Sequence, residues 1–412
     1  MLQRVSRFAT ATLLLLSGCG VGHELGLTSG TNTTLGETTP APAPFGYAVA
    51  DEPQAALVGQ QILAAGGNAA DAAAAEGFAL AVTLPSRAAL GGGGACILRL
   101  PNAQGDLQPP VALLFPAGAP ALAGGARPAA VPLMARGLLA LQAGYGTLSA
   151  SADITPAERL AVSAQLSPAL ESDLQVVGPA LLADPVAASL FAPNGALLPA
   201  DASISQPDLA GTLATLSTNG SAALYTGSAA QNFATAVREA GGQVSAADLG
   251  AASVHVVPVA TSTAGTITIA ALPTAATTGP LPASAAFMAL DKNGGVVACA
   301  VSTNNLFGTG RFAPGTGVLL AAAHAPAPLL AAEIAYNTAT GAFRAAATGT
   351  GQQDAATAAA TGLNAALTSK PAVAPGTGRT NIIACPGGVP GGESACTAHA
   401  DPRGQGLAAG GN

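Results

Sequence analysis

The sequence predicts an α+β fold in which two stacked, mainly antiparallel sheets lie between layers of helices. The middle of the chain, from Arg127 to Asp248, reads as largely helical, with stops at AGYG, APNG, STNG and REAGG. The part after Asp248 reads as short strands separated by turn signals such as KNGG, PGTG and TATG. Half of the 412 residues are apolar but only 3% are aromatic, so a substantial core must be built from Ala, Val and Leu.

Residues 1–19 have the composition of a secretory signal peptide. Arg4 and Arg7 precede a short apolar segment that ends in small residues before Cys19. The motif LSGC resembles the bacterial lipobox, whose cysteine receives lipid and becomes the first residue of the mature protein. The alternative is an ordinary signal peptide that contains a cysteine. Because Gly20 rather than Asp follows, we expect a lipid-anchored protein of the bacterial cell envelope, at the periplasmic face of the outer membrane.

The next segments predict a tether and the first elements of the fold. Residues 20–45 are rich in Gly, Thr and Pro, which is typical of a flexible linker. A first helix is predicted in DEPQAALVGQQILAAGG, with Pro in its first turn and Gly at its end, and a mostly buried second helix in NAADAAAAEGFALAV. In LGGGGACILRL, which follows, a glycine hinge leads into a strand whose residues suit a sheet that is covered on both faces.

The strands expected after the helical part are VHVVPVA, TITIAAL, FMALD, VVACAVS, GVLLAAA, EIAYN and FRAAAT. One further helix, from about Asp354 to Leu367, precedes a tail rich in Gly and Pro. Helices over a set of mainly antiparallel strands favour two sheets stacked between helical layers.

Charge and composition exclude several classes of function. The formal net charge is -7 with only 14 Lys and Arg residues and no basic run, so nucleic acid is not an expected partner. No stretch approaches the roughly 20 apolar residues of a membrane-spanning helix, so lipid is the only expected membrane contact. The four histidines are scattered without ligand spacing, and we expect no metal site and no cofactor.

Four further cysteines lie in a chain that is expected to reach a compartment where disulfides form. Cys385 and Cys396 bracket PGGVPGGESA, a flexible loop that can bring them together, so we predict this pair, although sequence does not prove a connectivity. Cys96 and Cys299 lie in apolar, strand-like runs and are interpreted as buried small side chains.

A longer pattern begins at VADEPQAALVGQQILAAGGNAADAAAAEGFALAVTLPSRAALGGGGACILRL, which resembles the opening of the γ-glutamyltransferase family. Residues 130–148, 205–249 and 291–320 resemble family segments in the same order, and so does DPRGQGLAAG near the end. The resemblance covers most of the chain from Tyr47 onward. It implies the αββα sandwich of the N-terminal nucleophile hydrolases.

The resemblance also implies a reaction. Members are made as one precursor that cuts itself, which here would separate a large part, residues 46–283, from a small part, residues 284–412, of the same domain. The new terminal threonine takes a γ-glutamyl group from glutathione or a related donor and passes it to an amino acid, a peptide or water. Its own α-amino group, with a pKa near 8, can serve as the base.

The family motif TTH falls on the stretch PASAAFMAL, residues 282–290, and implies Ser284 as the nucleophile. Ala285 and Ala286 then stand where the family has a second threonine and a histidine. A later family threonine falls at Ser302, which keeps a hydroxyl, and an asparagine after it is retained as Asn304. Serine can replace threonine in this role because the hydroxyl and the terminal amine are both kept.

The resemblance implies an oxyanion site at Thr350 and Gly351, where backbone N–H groups remain whatever the side chain. Other positions depart from the family. Pro116 stands where an arginine binds the donor carboxylate, and AAAHAP at 321–326 replaces residues that bind the donor ammonium. Pro328 and Leu329 replace a serine pair, and the segment that usually separates PTAATTG from the nucleophile is absent. Each lost charge-assisted contact is worth roughly 1.5–3 kcal/mol.

Two hypotheses of function follow. In the first, self-cleavage exposes Ser284, which hydrolyses a small amide or γ-glutamyl substrate; Arg87 is the nearest replacement anchor for a carboxylate, unless it is only a solvated surface arginine. In the second, the protein is a non-catalytic lipoprotein that keeps the scaffold for binding, and Ser284 is one more small residue. A decaying gene product is a third hypothesis, which the orderly caps and turns disfavour.

Overall fold

The computed structural model describes residues 38–39, 46–122, 124–273, 283–323 and 329–411. All of them belong to one compact unit, Leu35–Asn412. The expected leader, the expected lipidation site Cys19 and most of the expected tether lie outside the described residues. Within the described ranges, no helix is long and apolar enough to cross a membrane.

The helices begin and end as follows: α1 Pro53–Ala64, α2 Ala69–Thr83, α3 Pro85–Ala88, α4 Met134–Tyr145, α5 Ala150–Val162, α6 Pro168–Leu181, α7 Pro185–Phe191, α8 Pro207–Asn219, α9 Ala222–Tyr225, α10 Gly227–Glu239, α11 Ala246–Ala251 and α12 Ala355–Thr368. The helical middle of the chain and the late helix are therefore present, as predicted.

The strands are β1 Thr38–Thr39, β2 Gly46–Ala50, β3 Gly93–Arg99, β4 Val111–Phe115, β5 Ala164–Gln165, β6 Ser203–Ile204, β7 His255–Pro258, β8 Thr261–Ala264, β9 Ile267–Ala271, β10 Ala285–Leu290, β11 Val296–Ser302, β12 Phe312–Ala313, β13 Val318–Leu319, β14 Ala331–Asn337, β15 Phe343–Thr350, β16 Arg379–Val389, β17 Thr397–His399 and β18 Leu407–Gly411. Each predicted strand segment overlaps one of them.

These strands form two large sheets. The first has the order β1-β18-β2-β10-β11-β3-β4-β7, and the second has the order β17-β16-β15-β14-β9-β8. The ladders of both sheets are antiparallel except for the short pair β1 and β18.

The two sheets stack face to face between helices. One apolar core lies between them and includes Val49, Ile97 and Met288 from the first sheet with Ile334 and Ile383 from the second. Helices α1, α2 and α4 pack on the outer face of the first sheet, and α12 packs on the second. The predicted αββα sandwich is therefore confirmed.

Helix starts follow local sequence chemistry. Pro53 occupies the first turn of α1, where its missing N–H costs nothing, and the carboxylate of Glu52 accepts a hydrogen bond from the Ala55 N–H. Helix α2 begins with a capping box between Asn68 and Asp71. Every residue of α2 is buried, which its many alanines permit because they let neighbouring elements approach closely.

The Gly- and Pro-rich tail contains strands that the sequence analysis did not predict. Strands β16 to β18 lie in this region, and β18 pairs with β2 in the first sheet while β16 pairs with β15 in the second. A local sequence pattern does not reveal these strands, because they contain many glycines and because the strands that pair with them lie far away in the chain.

The interpretation of two cysteines as free side chains was wrong. Cys96 on β3 and Cys299 on β11 lie directly opposite each other in the ladder and form a disulfide. Both are fully buried. The pairing depends on a strand register that spans 203 residues of sequence, which composition does not reveal. The second disulfide joins Cys385 and Cys396, the pair favoured by the sequence.

Two carboxyl groups are buried together between α2 and α5. Asp71 accepts hydrogen bonds from Asn68, Thr147 and Leu148. The Asp153 carboxyl is buried beside Asp71, and a hydrogen bond between the two carboxyl groups contributes to its raised pKa. Burial raises the pKa of Asp153 to about 8, and the neighbouring Asp71 carboxylate adds to this shift.

We expect the Asp153 carboxyl to make the fold less stable as pH rises. Because its pKa is raised in the folded state, its stabilising contribution is complete below about pH 4 and is lost as pH approaches about 8, at up to about 1.4 kcal/mol per pH unit. Asp153→Asn should therefore exceed the wild type in free energy of unfolding at pH 8 and show a flatter pH profile. Denaturant unfolding between pH 4 and 9 measures this, and identical profiles would contradict it.

Candidate active site

Ser284 lies immediately before β10, at one end of the first sheet. The residue is 3% exposed, and its hydroxyl has no hydrogen-bond partner among the described residues. It lines a cavity of about 340 Å³. Five other residues of this cavity matter for its chemistry: Thr350, Gly351, Arg87, Arg379 and Arg403. The Ser284 oxygen is shielded from solvent, and no hydrogen bond to another described residue holds its hydroxyl.

Ser302 lies beside the peptide bond that precedes Ser284. Its hydroxyl donates a hydrogen bond of 2.8 Å to the carbonyl oxygen of Ala283, and its oxygen accepts one of 3.0 Å from the backbone N–H of Asn304. The Asn304 N–H thus fixes the Ser302 oxygen while the Ser302 proton points at the Ala283 carbonyl. The resemblance predicted Ser284, Ser302 and Asn304 from sequence motifs. The structure shows Ser302 and the backbone of Asn304 beside the peptide bond that precedes Ser284.

Asn304 acts on this arrangement through its backbone. Its side-chain amide donates hydrogen bonds of 3.1 Å to the carbonyl oxygens of Ala117 and Ala322, so it ties two loops together and does not line the cavity of Ser284. Its φ of 60° lies in the left-handed region that asparagine tolerates better than most residues. The catalytic role that the resemblance implies for Asn304 stays a prediction, and the structure shows only its backbone N–H in contact with Ser302.

Thr350 ends β15 and Gly351 follows it, and both residues line the same cavity as Ser284. Gly351 has a φ of 104°, and a Cβ atom there would lie 2.2 Å from the carbonyl oxygen of Thr377. Only glycine fits this turn. The cavity thus places the end of a strand of the second sheet beside a residue of the first. An oxyanion site requires backbone N–H groups that are directed at the attacked carbonyl, and this role of Thr350 and Gly351 stays a prediction.

Arg87 is not the solvated surface arginine of the second interpretation, and its role as a carboxylate anchor stays a prediction. Its side chain is 15% exposed, so it is not a solvated surface arginine. Its Nε and Nη2 atoms bind the two carboxylate oxygens of Asp173 at 2.8 and 2.6 Å, and Ser86 donates to the same carboxylate. Arg87 borders the cavity, but this internal ion pair already occupies two of its nitrogen donors.

Three other residues at this site are not among the candidates that the sequence analysis singled out. Asp51 accepts hydrogen bonds of 2.9 Å from the Ala286 N–H and 2.7 Å from the Asn381 side chain, which fixes the start of β10; burial raises the pKa of Asp51. Arg379 and Arg403 enter the cavity from the second sheet and from the chain that follows it. Arg403 lies in the DPRGQG segment noted for its resemblance, whereas Arg379 had no signal of its own.

The structure describes three of the positions at which the resemblance implies that donor-binding residues are replaced. Pro116 is exposed, Ala323 and Leu329 are half-buried, and none of these residue types can carry a charge on its side chain. Pro326 and Pro328 lie outside the described residues. Among the described residues, no group of three or more His, Cys, Asp or Glu side chains is arranged to hold a metal ion.

Residues 55–286 match the sequence profile of the family Gamma-glutamyltranspeptidase. The chain is 31% identical over 232 residues to the glutathione hydrolase proenzyme of Escherichia coli (strain K12), which covers 52% of this chain and 39% of that protein. It is 30% identical over 236 residues to the Acylase ACY 1 proenzyme of Pseudomonas sp. (strain V22), which covers 52% of this chain and 42% of that protein. The chain therefore matches about two fifths of the length of these curated relatives.

The similarity in three dimensions extends further. The crystal structure of cephalosporin acylase from Bacillus halodurans superposes with a TM-score of 0.71 at 16% sequence identity, covering 93% of this chain and 99% of that chain. At this level of identity the match shows a shared fold.

Proposed function

Because the chain belongs to the γ-glutamyltranspeptidase family, we propose that it is a self-processing amide hydrolase in which Ser284 becomes a terminal nucleophile. The hydrogen bond from the Ser302 hydroxyl to the Ala283 carbonyl carries this proposal. It supplies a donor to the carbonyl that Ser284 must attack, next to a hydroxyl that is buried and unpaired. Two of the relatives are named as proenzymes, in keeping with a chain that matures by cleavage.

The proposed self-cleavage proceeds through an ester. The Ser284 oxygen attacks the Ala283 carbonyl carbon, and the Ser302 hydroxyl stabilises the negative charge that develops on the carbonyl oxygen. The C–N bond breaks as its nitrogen takes a proton, which leaves Ala283 esterified to the Ser284 oxygen. Water then hydrolyses the ester, releasing the Ala283 carboxylate and a Ser284 with a free hydroxyl and a free α-amine.

The same groups would then act on a substrate. The α-amine of Ser284 removes the hydroxyl proton, and the oxygen attacks the carbonyl of an amide or γ-glutamyl donor. The backbone N–H groups at Thr350 and Gly351 stabilise the oxyanion, and the amine product leaves with a proton. Water, or the amine of an acceptor, resolves the acyl ester and restores the enzyme.

The test of self-cleavage is the mass of the purified protein. We expect two fragments after incubation, the smaller beginning at Ser284. Ser302→Ala should slow its appearance roughly 100-fold, the effect of removing one oxyanion donor. Ser189→Ala, which removes an exposed hydroxyl on α7, is the matched control and should cleave at the wild-type rate. A wild-type chain that stays whole during long incubation, or a Ser302→Ala chain that cleaves normally, would overturn the proposal.

A second candidate function is binding without catalysis. It is favoured by the exposed Pro116 at the position where the resemblance implies the carboxylate-binding arginine. In that case Ser284 stays inside an uncut chain and the αββα scaffold serves for recognition alone. The same mass measurement separates the two functions, because only the first requires a break before Ser284.

We further propose that Cys19 carries a lipid that holds the protein in the bacterial envelope. The support is the LSGC motif and the preceding apolar segment. Mass spectrometry of the N-terminal peptide from a membrane fraction should detect an acylated Cys19, and an unmodified peptide with a free thiol would refute the anchor.

A further inference from the structure

The Asp51 side chain replaces a backbone acceptor at the point where β2 ends. The ladder between β2 and β10 runs only as far as Ala50 and Phe287. One step further, the Asp51 N–H donates a hydrogen bond of 3.0 Å to the Ala286 carbonyl oxygen, and the Ala286 N–H donates one of 2.9 Å to the Asp51 carboxylate. In a regular antiparallel pair a backbone carbonyl would accept this second bond. Asp51 therefore holds β10 one residue beyond the end of β2, on the side of Ser284.

The Asp51 carboxylate is itself held from the second sheet. Its other oxygen accepts a hydrogen bond of 2.7 Å from the Asn381 side chain, and the side-chain oxygen of Asn381 accepts one of 3.1 Å from the Asp401 N–H. All three residues are buried. Arg87 and Arg379 attract the charge of Asp51 electrostatically, which offsets part of the cost of burying it. Because both of its oxygens are engaged, the carboxylate has a fixed position, and so has the backbone that it binds.

These hydrogen bonds connect the two parts that self-cleavage would produce. Asp51 belongs to the large part of the chain, whereas the Ala286 and Asn381 groups that it binds belong to the small part. In the uncut chain, Ser284 is also held through its peptide bond to Ala283, whose carbonyl oxygen accepts a hydrogen bond. After the break that bond is gone, and Ser284 is the first residue of the small part. The ends of chains lose order unless they are tied down.

We infer that Asp51 is a positioning residue that keeps the start of the small part, and with it the Ser284 hydroxyl, in place after the chain has been cut. This inference rests on the proposed function, because it concerns the terminus that the cut creates. Asp51 is not among the described residues that line the Ser284 cavity, so it acts through the backbone of Ala286.

The test compares two rates in Asp51→Ala, which removes both acceptor oxygens. In the cut protein, kcat on γ-glutamyl-p-nitroanilide should fall roughly 100-fold with KM little changed, because a displacement of about 1 Å costs a reacting group that much. Self-cleavage, followed by intact mass, should slow by a smaller factor, because the bond to Ala283 still holds Ser284. Equal losses in both rates would indicate a general structural role and overturn the inference, and so would an unchanged kcat.

An exchange of two side chains tests the hydrogen bonds directly. Asn381→Asp sets two carboxylates against each other and should lower kcat. In the double variant Asp51→Asn/Asn381→Asp, the amide at position 51 accepts from the Ala286 N–H and donates to the carboxylate at position 381, whose other oxygen accepts from the Asp401 N–H. The double variant should therefore recover most of the wild-type kcat, and one no better than Asn381→Asp would overturn the inference. Asp106→Asn changes an exposed aspartate and should match the wild type.

Hydrogen exchange separates this inference from the proposed function. A wild-type chain that stays uncut refutes the proposed function. In that case, or if the cut protein does not hydrolyse the anilide, exchange of the Ala286 amide is measured by NMR in the purified protein. Exchange that Asp51→Ala accelerates by roughly tenfold or more supports the inference, and equal exchange overturns it. If Asp51→Ala does not fold, Asn381→Asp and the double variant are compared in the same way: faster exchange in Asn381→Asp alone supports the inference, and equal exchange in the two overturns it.

Discussion

Ser284→Ala is expected to yield a single uncut chain without hydrolase activity. Removal of the hydroxyl removes both the group that attacks the Ala283 carbonyl and the nucleophile of the mature enzyme, so activity should fall by at least about a thousandfold. The measurements are intact mass after incubation and release of p-nitroaniline from γ-glutamyl-p-nitroanilide. Cleavage at the wild-type rate in Ser284→Ala would show that another group performs the step.

The same variant carries its own control for folding. The Ser284 hydroxyl is buried without a hydrogen-bond partner among the described residues, which typically costs about 1–3 kcal/mol. Ser284→Ala should therefore unfold at a temperature equal to or above that of the uncut wild-type chain, so lost activity would not reflect a lost fold. Ser284→Thr keeps the hydroxyl and should retain cleavage. If the threonine variant is well folded and uncut, the assignment of Ser284 is wrong.

Gly349→Ala is expected to destabilise the fold by roughly 3 kcal/mol, near the upper end of the usual cost of overpacking a core. Gly349 lies on β15, where α12 crosses the second sheet, and a Cβ atom there would lie 1.9 Å from the carbonyl oxygen of Ala355. The backbone of α12 would have to move away, and the turn at Thr350 and Gly351 would move with it. Cleavage and hydrolysis should therefore decline together with stability.

The matched control is Gly211→Ala. Gly211 lies on α8 with open space around the position of a Cβ atom, and alanine favours helix over glycine by up to about 1 kcal/mol. Denaturant unfolding of both variants measures the difference. If Gly349→Ala and the wild type have the same free energy of unfolding, α12 does not pack against β15 as closely as the structure indicates.

Much of the fold could be predicted because its signals are local. Pro53 in a first helical turn, the capping box at Asn68 and the apolar run of β11 each mark an element within a short window of sequence. The strands near the end could not be predicted in this way, because β16 and β18 contain many small residues and are stabilised by partners far along the chain.

The residues of the candidate site also divide into those that could be predicted from the sequence and those that could not. Ser284, Ser302, Thr350 and Gly351 were found by resemblance, and the structure brings them to one end of the stacked sheets. Arg379 was not found, because nothing in GTGRTN distinguishes an arginine that faces a cavity from one that faces solvent. Only the ladder that sets Arg379 opposite Thr350 gives it a position next to the nucleophile.

The sequence by itself determined many of the helices and strands and their order, the family resemblance, and the hydroxyl that we propose as the nucleophile. Tertiary structure decided which charges are paired, since Asp173 reaches Arg87 and Asp401 reaches Arg403 while Arg379 stays free of an ion pair among the described residues. It also decided that Cys96 and Cys299 are joined. The physical reason is the same in each case: hydrogen bonds, ion pairs and disulfides depend on distances of a few ångströms, and the register of two strands sets those distances between residues far apart in the chain.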